Sequence, residues 1–232
     1  MRYVGSKRRI AKYILPIILK DRKHGQTYVE PFVGGANLID KVSGSRVGSD
    51  LCCYLIAWLK HLQDTPDFQG AELTDEQYKH VRDYKGLYQD WFVGYVGYCL
   101  SFSAKFFGGL ARDRKGDRNH QQEATRNARA QRQGLVGVVF KQGHYRELVM
   151  PENSTIYCDP PYKGTLSYRH GGFDHKAFYA WCREQRGVGH TIFVSERQMP
   201  DDFECVWSGQ VINSVSRQDG TQVMPEKLFK LP

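Results

Sequence analysis

The chain of 232 residues is long enough for one sizeable α/β domain with an insertion, or for two small domains. Its formal net charge of +8 and pI near 9.1 suggest a polyanionic partner, and nucleic acid is the first candidate. The sequence has no run of 18 apolar residues and no signal-peptide core, so it indicates neither membrane insertion nor export, and we expect a cytoplasmic protein.

The six cysteines are scattered along the chain, at positions 52, 53, 99, 158, 182 and 205. They form no C-x-x-C pair, and no histidine cluster stands at zinc spacing. We therefore expect free thiols in a reducing compartment and no metal site.

The start of the chain predicts a helix followed by a β-turn-α unit. After a loop over residues 3–7, apolar residues recur at helical spacing over 10–18. Residues 27–32 predict a buried strand, and residues 33–37 predict a glycine turn that opens the next helix. Glycines let the backbone approach a ligand closely, and a helix N-terminus offers free N–H groups.

An acidic residue, Asp50, ends a short predicted strand over 46–50. In dinucleotide-type folds an acid at the end of the second strand accepts the two ribose hydroxyls of a nucleoside. Asp50 also precedes an apolar helical segment over 51–59, and it could serve only as the N-cap of that helix. The two roles are compatible, and the glycine turn favours ribose binding.

The middle of the chain predicts helices and then an exposed basic arm. Residues 74–100 show helical spacing, with a capping-box pattern at Thr74 and Gln77 and aromatic stripes that we assign to the core. The composition then changes: residues 104–134 hold eight basic residues against three acidic ones, and apolar residues nearly vanish after Leu110. We expect an exposed arm or hairpin that contacts DNA, although a merely solvated loop would have the same composition. The basic residues are Lys105, Arg112, Arg114, Lys115, Arg118, Arg126, Arg129 and Arg132.

The last third of the chain continues the alternation of strands and helices. Strands are predicted over 136–140 and 191–195, with a helix between them that begins after Asp174. A hairpin is predicted over 205–212 with its turn at Ser208-Gly209, and a last short strand over 226–230. This alternation predicts a mainly parallel sheet.

The stretch Asp159-Pro160-Pro161-Tyr162 follows a further apolar strand over 154–158. Each proline fixes its own φ and pushes the residue before it to extended conformations, so the loop is stiff. The Pro160 carbonyl and the Asp159 carboxylate are then two acceptors beside a flat Tyr162 ring. This arrangement suits a planar base that carries an amino group, whereas the alternative interpretation is a simple turn at the end of a strand.

With these motifs in this order, the chain resembles the Dam-type (D12 class) DNA adenine-N6 methyltransferases over nearly its whole length, and phage-borne members most. The resemblance implies the S-adenosylmethionine-dependent methyltransferase fold, which is Rossmann-like α/β with a mainly parallel seven-stranded sheet and an antiparallel last hairpin. It also implies a catalytic domain over 1–65 and 135–232 and a helical or hairpin target-recognition insertion over 66–134.

The resemblance assigns roles to individual residues. The cofactor-binding residues it implies are Tyr3, Lys7, Phe32, Gly34, Gly35, Asp50 and Asp159. The catalytic residues it implies are Asp159, Pro160, Pro161 and Tyr162, and Ser195 resembles, more loosely, a position that lines the base pocket. The DNA-binding residues expected in the insertion are Lys105, Arg112, Arg114, Lys115, Arg118, Arg126 and Arg129.

The function implied is methyl transfer from S-adenosylmethionine to N6 of an adenine flipped out of double-stranded DNA, in a bacterial or phage-infected cell. Cytosine-C5 methylation is disfavoured because it needs a nucleophilic cysteine, usually in a Pro-Cys pair, and the sequence has none. Cytosine-N4 methylation, amino methylation of RNA or protein, and a catalytically silent DNA-binding module remain as alternatives. The recognition sequence, a restriction partner and dimerisation on DNA are left open.

Overall fold

The computed structural model describes residues 1–113, 116–163, 172–213 and 222–232. Two of the expected DNA-binding residues, Arg114 and Lys115, lie outside these ranges. Within them the chain forms one seven-stranded sheet. Its strands are β1 (Tyr28–Glu30), β2 (Arg46–Asp50), β3 (Val138–Gln142), β4 (Thr155–Cys158), β5 (Thr191–Glu196), β6 (Glu204–Asn213) and β7 (Gln222–Leu231).

The strand order is β3-β2-β1-β4-β5-β7-β6. Strands β1 to β5 are parallel, and β7 is antiparallel to both of its neighbours, β5 and β6. This is the Rossmann-like methyltransferase arrangement that the resemblance implied, so the predicted fold class is confirmed. The chain winds outward from β1 and returns to start again at β4, which makes the gap between β1 and β4 the switch point where α/β sheets bind ligands.

The helices lie on both faces of the sheet. Those among the described residues are α1 (Ala11–Leu19), α2 (Cys53–Asp64), α3 (Asp75–Asp83), α4 (Asp90–Gly94), α5 (His120–Leu135) and α6 (His175–Gly187). Residues of α1 to α5 pack into one hydrophobic cluster with Tyr157 of β4. The other cluster joins α6 to Ile156 and Cys158. Because both faces of β4 are covered, its sequence is a continuous apolar run rather than an alternating one.

The helical segment predicted over 74–100 consists of more than one helix. The predicted capping box at Thr74 and Gln77 is confirmed at the start of α3. The helix then ends at Asp83, because a short turn containing Gly86 separates it from α4. Helix α4 continues directly into a π-helical turn over Tyr95–Cys99.

Two turn predictions were wrong. The glycine turn over 33–37 does not open a long helix, since only a 3-10 turn, Ile39–Lys41, follows it. The hairpin turn expected at Ser208-Gly209 is also absent, because β6 runs through both residues, which pair with Lys227 and Glu226 of β7. A Cβ on Gly209 would lie 2.5 Å from the Trp207 ring, so this glycine serves close packing rather than a turn.

The basic segment is not simply an exposed arm. Helix α5 occupies its second half, and Asn119 caps the helix by accepting from the N–H groups of Gln121 and Gln122. Although the segment is poor in apolar residues, Ala128 is fully buried, as is Leu135, the last residue of α5 just beyond the segment. One face of α5 therefore packs on the core, and the cations lie on the rest of the helix surface.

Candidate active site

Asp159 follows the last residue of β4 and so stands at the switch point of the sheet. Its Oδ1 lies 2.9 Å from Nζ of Lys7, whose side chain is only 6% exposed. The same ammonium donates to the Gly5 carbonyl at 3.0 Å. A buried ammonium is costly without partners, so the Asp159 carboxylate and this carbonyl stabilise Lys7 in the crevice.

Tyr162 and Glu226 complete the same group of side chains. The Tyr162 hydroxyl donates to Glu226 Oε2 at 2.6 Å, and that oxygen lies 3.9 Å from Lys7 Nζ. The ammonium is also 4.7 Å from the centroid of the Tyr162 ring. The crevice beside β4 is thus lined by four side chains, those of Lys7, Asp159, Tyr162 and Glu226. Glu226 was not singled out from the sequence, because no motif marks it.

Burial raises the pKa of Asp159 above its ordinary value, while the positive charge of Lys7 opposes the shift. Burial also raises the pKa of Tyr162, and the neighbouring carboxylates of Asp159 and Glu226 add to this effect. The tyrosine hydroxyl therefore stays protonated at neutral pH and acts as a hydrogen-bond donor.

The glycine turn after β1 lies directly under the Tyr3 side chain. Gly34 has a φ of +47°, and a Cβ there would lie 2.7 Å from Cε1 of Tyr3. A Cβ on Gly35 would lie 2.6 Å from the Tyr3 Cβ. The two positions accept only glycine without a shift of Tyr3, and they leave the turn as bare backbone. From α5, Gln131 Nε2 donates to the carbonyls of Gly35 and Ala36 at 2.9 and 3.0 Å.

Asp50 ends β2 beside this turn. Its Oδ2 accepts from the Gly34 N–H at 3.2 Å, and its Oδ1 accepts from the Cys52 N–H at 3.0 Å. Helix α2 begins at Cys53 with Cys52 as its N-cap residue, so Asp50 is not the helix cap. The structure thus brings the predicted ribose-binding acid against the predicted cofactor turn.

The remaining predicted site residues are buried or half-buried. Phe32 is half-buried, and its ring centroid lies 5.2 Å from that of Tyr145 and 5.7 Å from that of Phe178. Ser195 is 1% exposed, and its hydroxyl forms a 2.7 Å hydrogen bond with the Tyr157 hydroxyl. Pro160 is buried and Pro161 is half-buried.

Several of the expected DNA-binding cations already have partners within the protein. Arg118 forms a bidentate pair with Glu123, with both contacts at 2.8 Å. Arg129 donates to the Phe68 carbonyl and to the Gln69 side chain, and Arg112 pairs with Asp75. Lys105 and Arg126 are exposed.

The described part of the chain contains no group of three or more His, Cys, Asp or Glu side chains arranged to hold a metal ion. No helix within it is both long enough and apolar enough to span a membrane. The six cysteines carry free thiols, of which Cys99, Cys158 and Cys182 are buried.

Comparison with known proteins identifies a family over the first part of the chain. Residues 3–93 match the family of D12 class N6 adenine-specific DNA methyltransferases. This match confirms the resemblance over the segment that carries Tyr3, Lys7, the glycine turn and Asp50.

Among solved structures, the chain is similar to SMU.472, described as a methyltransferase and crystallised with SAH. The two are 14% identical with a TM-score of 0.42, and the alignment covers 98% of this chain and 52% of that one. The chain therefore spans about half the length of that protein. No curated protein matches the sequence.

Proposed function

We propose that the protein transfers a methyl group from S-adenosylmethionine to the N6 amino group of an adenine flipped out of double-stranded DNA. The observation that carries this proposal is the position of Asp159. Its carboxylate stands at the switch point, 22% exposed, and is followed by the stiff Pro160-Pro161 pair and the Tyr162 ring. The family match over residues 3–93 supports the same class of reaction.

The residues around the glycine turn fit S-adenosylmethionine. Gly34 and Gly35 let the Tyr3 side chain lie directly against the turn, since a Cβ at either position would overlap with it. Asp50 lies beside the same turn, where its carboxylate would accept from the ribose hydroxyls. Within the described residues Asn37 Nδ2 is buried without a hydrogen-bond partner, so an additional donor is available near the turn. We assign cofactor binding to these residues together with Tyr3, Lys7, Phe32 and Asp159. When bound, the cofactor supplies an electrophilic methyl group.

The loop after β4 would activate the amino group. The exocyclic nitrogen of adenine is a poor nucleophile because its lone pair is delocalised into the ring. The Asp159 carboxylate and the Pro160 carbonyl, by accepting hydrogen bonds from the two amino N–H groups, would favour a pyramidal nitrogen whose lone pair points outward. As the N–C bond forms and the S–C bond breaks, the surplus amino proton would pass to the Asp159 carboxylate. Tyr162 offers a ring face for stacking, which would offset part of the few kcal/mol that base flipping costs.

DNA binding is assigned to the insertion over 66–134, and catalysis to 1–65 and 135–232. The cations proposed to contact DNA are Lys105, Arg112, Arg114, Lys115, Arg118, Arg126 and Arg129. Lys105 and Arg126 are exposed, and so are Arg112, Arg118 and Arg129, which are already bonded within the protein. The cations bound to the protein's own acids would have to exchange those partners for phosphates.

The test is nucleoside mass spectrometry of mixed-sequence duplex DNA after incubation with the protein and S-adenosylmethionine. We expect N6-methyladenine with the wild type and a loss of about a hundredfold to a thousandfold in kcat for Asp159→Ala, because the main acceptor of the amino group is gone. The control is Asp201→Ala, which removes an exposed acid outside the insertion; it should methylate at the wild-type rate.

The product separates the proposal from its rivals. N4-methylcytosine would keep the role of the loop but overturn the choice of base. Unmodified DNA together with measurable S-adenosylmethionine binding would leave an RNA or protein substrate, whereas the absence of cofactor binding would indicate a silent DNA-binding module. Near-normal turnover by Asp159→Ala would contradict the assignment of this residue.

A further inference from the structure

We propose that Glu226 is a positioning residue that sets the orientation of the Tyr162 ring for the incoming base. This inference rests on the proposed function, in which Tyr162 is the surface on which the flipped adenine stacks. It adds a residue from the far end of the chain to the site, one that neither the motifs nor the family match over residues 3–93 includes.

The contact between the two side chains is close and charge-assisted. The Tyr162 hydroxyl donates to Glu226 Oε2 at 2.6 Å, and the glutamate side chain is only 17% exposed. Hydrogen bonds to ionised acceptors are shorter and about twice as strong as neutral ones. The Lys7 ammonium lies 3.9 Å from the same oxygen and 2.9 Å from Asp159 Oδ1. Glu226 is therefore linked to the loop after β4 both directly through Tyr162 and indirectly through Lys7.

The sheet places Glu226 at this point. Strand β7 runs antiparallel to β5, with Lys227 paired to Glu196, the last residue of β5. Glu226 therefore lies just beyond the end of β5, on the side where the loop after β4 emerges. Glu196 holds the same loop, because its carboxylate accepts from the Lys163 N–H at 3.1 Å.

The two acids fix different parts of that loop. The prolines and Glu196 constrain the backbone, but the Tyr162 ring can still rotate about its two side-chain torsions. The Tyr162 side chain also hydrogen-bonds with Asp159, so the bond to Glu226 limits these torsions together with that contact. The Arg197 guanidinium lies 5.9 Å from the ring centroid. A ring held in place before the base arrives raises the fraction of bound adenine in reactive geometry, and this should appear in kcat rather than in KM.

Three substitutions separate the hydroxyl bond from other effects. Glu226→Ala removes the acceptor, Glu226→Gln keeps a neutral acceptor of the same shape, and Tyr162→Phe keeps the ring without its hydroxyl. We expect Glu226→Ala and Tyr162→Phe each to lower kcat by about tenfold to a hundredfold with little change in KM. Glu226→Gln should recover most of the loss, and the double variant Tyr162→Phe/Glu226→Ala should be no worse than either single one.

A matched control and a binding readout complete the experiment. Glu204→Ala removes an exposed acid from β6 of the same hairpin and should leave kcat unchanged. The fluorescence of 2-aminopurine at the mapped target position reports how the flipped base is held, and we expect Glu226→Ala to change it while Glu204→Ala does not. Circular dichroism identifies any variant that fails to fold, and Glu226→Gln then carries the comparison.

Each outcome decides the question. If the wild type makes no N6-methyladenine, the proposed function and this role fail together. If the wild type methylates and Glu226→Ala stays within about twofold of it, only the role of Glu226 is overturned. If Glu226→Ala costs a further tenfold or so in the Tyr162→Phe background, Glu226 does not act through the hydroxyl and the proposal is wrong.

Discussion

The crevice beside β4 and the basic segment over 104–134 are both rich in charge, but their charges meet different partners. In the crevice, Lys7 and Asp159 come from distant parts of the chain and converge on one enclosed point. In the basic segment, Arg118 and Arg129 bond to nearby protein groups along the surface. The number of charged residues in a region therefore does not identify a functional site. What locates it is where buried charges converge and which exposed charges remain for a ligand.

The affinity for S-adenosylmethionine tests the role of the glycine turn beside the crevice. Gly34→Ala should weaken S-adenosylmethionine binding by about tenfold to a hundredfold. The strain of a left-handed alanine, about 1–2 kcal/mol, and its overlap with Tyr3 are relieved only if the turn or the Tyr3 ring shifts from its place in the proposed cofactor site. Calorimetric titration measures the affinity. The control is Gly86→Ala, at an exposed position where a Cβ meets nothing within 4 Å. An unchanged affinity in Gly34→Ala would remove the turn from the cofactor site.

On the basic side, the prediction is a contrast between two arginines. Arg126→Ala should lower the salt dependence of DNA binding by about one phosphate equivalent without affecting stability, since the side chain is exposed. Arg129→Ala should instead lower the melting temperature, because its guanidinium holds the Phe68 carbonyl. Fluorescence anisotropy at several salt concentrations and thermal melts of both variants measure the two effects. Both side chains are exposed, so equal behaviour of the two would contradict the role assigned to the internal bonds of Arg129.

The pH dependence of kcat/KM should respond to the charge of Lys7. Lys7 opposes the rise in the pKa of Asp159 that burial causes. Removing the ammonium in Lys7→Met should raise that pKa further, so the acid limb of the kcat/KM profile should move to higher pH. The control is Lys12→Met, on the exposed side of α1. An acid limb that stays in place would show that another group than Asp159 titrates there.

The smallest effect concerns stability beneath the crevice. Glu30 is 3% exposed, and burial raises its pKa well above the ordinary value of 4.5, although the hydrogen bond from Tyr28 opposes the shift. The folded state then binds the proton more tightly than the unfolded state does. The contribution of Glu30 to the free energy of unfolding is therefore complete below about pH 4.5, and it is lost as the pH rises through the pKa of Glu30 in the folded state.

Glu30→Gln should therefore make the free energy of unfolding less dependent on pH above about 4.5, because the amide carries no charge to bury. Urea titrations at pH 5 and pH 8 measure the effect. Glu184→Gln, at an exposed position on α6, provides the comparison and should follow the wild type. If the two variants behave alike, burial of Glu30 does not control the pH response.

The sequence predicted those features that local chemistry determines. The apolar run of β4, the prolines after it and the glycines after β1 each act within a few residues, so Asp159, Gly34 and Asp50 could be identified before the fold was known. Their convergence followed from strand order, because the ends of neighbouring parallel strands meet at one edge of a sheet.

The features that were missed depend on contacts across the fold. Glu226 meets Tyr162 over a separation of 64 residues, and Arg129 meets Phe68 over 61. Nothing in the residues next to Glu226 distinguishes it from a surface acid on a strand. The prediction of a turn at Ser208-Gly209 was wrong for a similar reason, since Gly209 packs against the ring of Trp207 and pairs with a residue of β7.

Gln131 has a consequence for exchanging parts between related enzymes. This residue lies in α5, inside the segment proposed to read DNA, yet its side-chain amide donates to the Gly35 and Ala36 carbonyls of the proposed cofactor turn. A chimera that replaces residues 66–134 as a block would also replace this amide. A graft intended to change only the recognition sequence must therefore keep Gln131, or it will alter the cofactor site of the recipient.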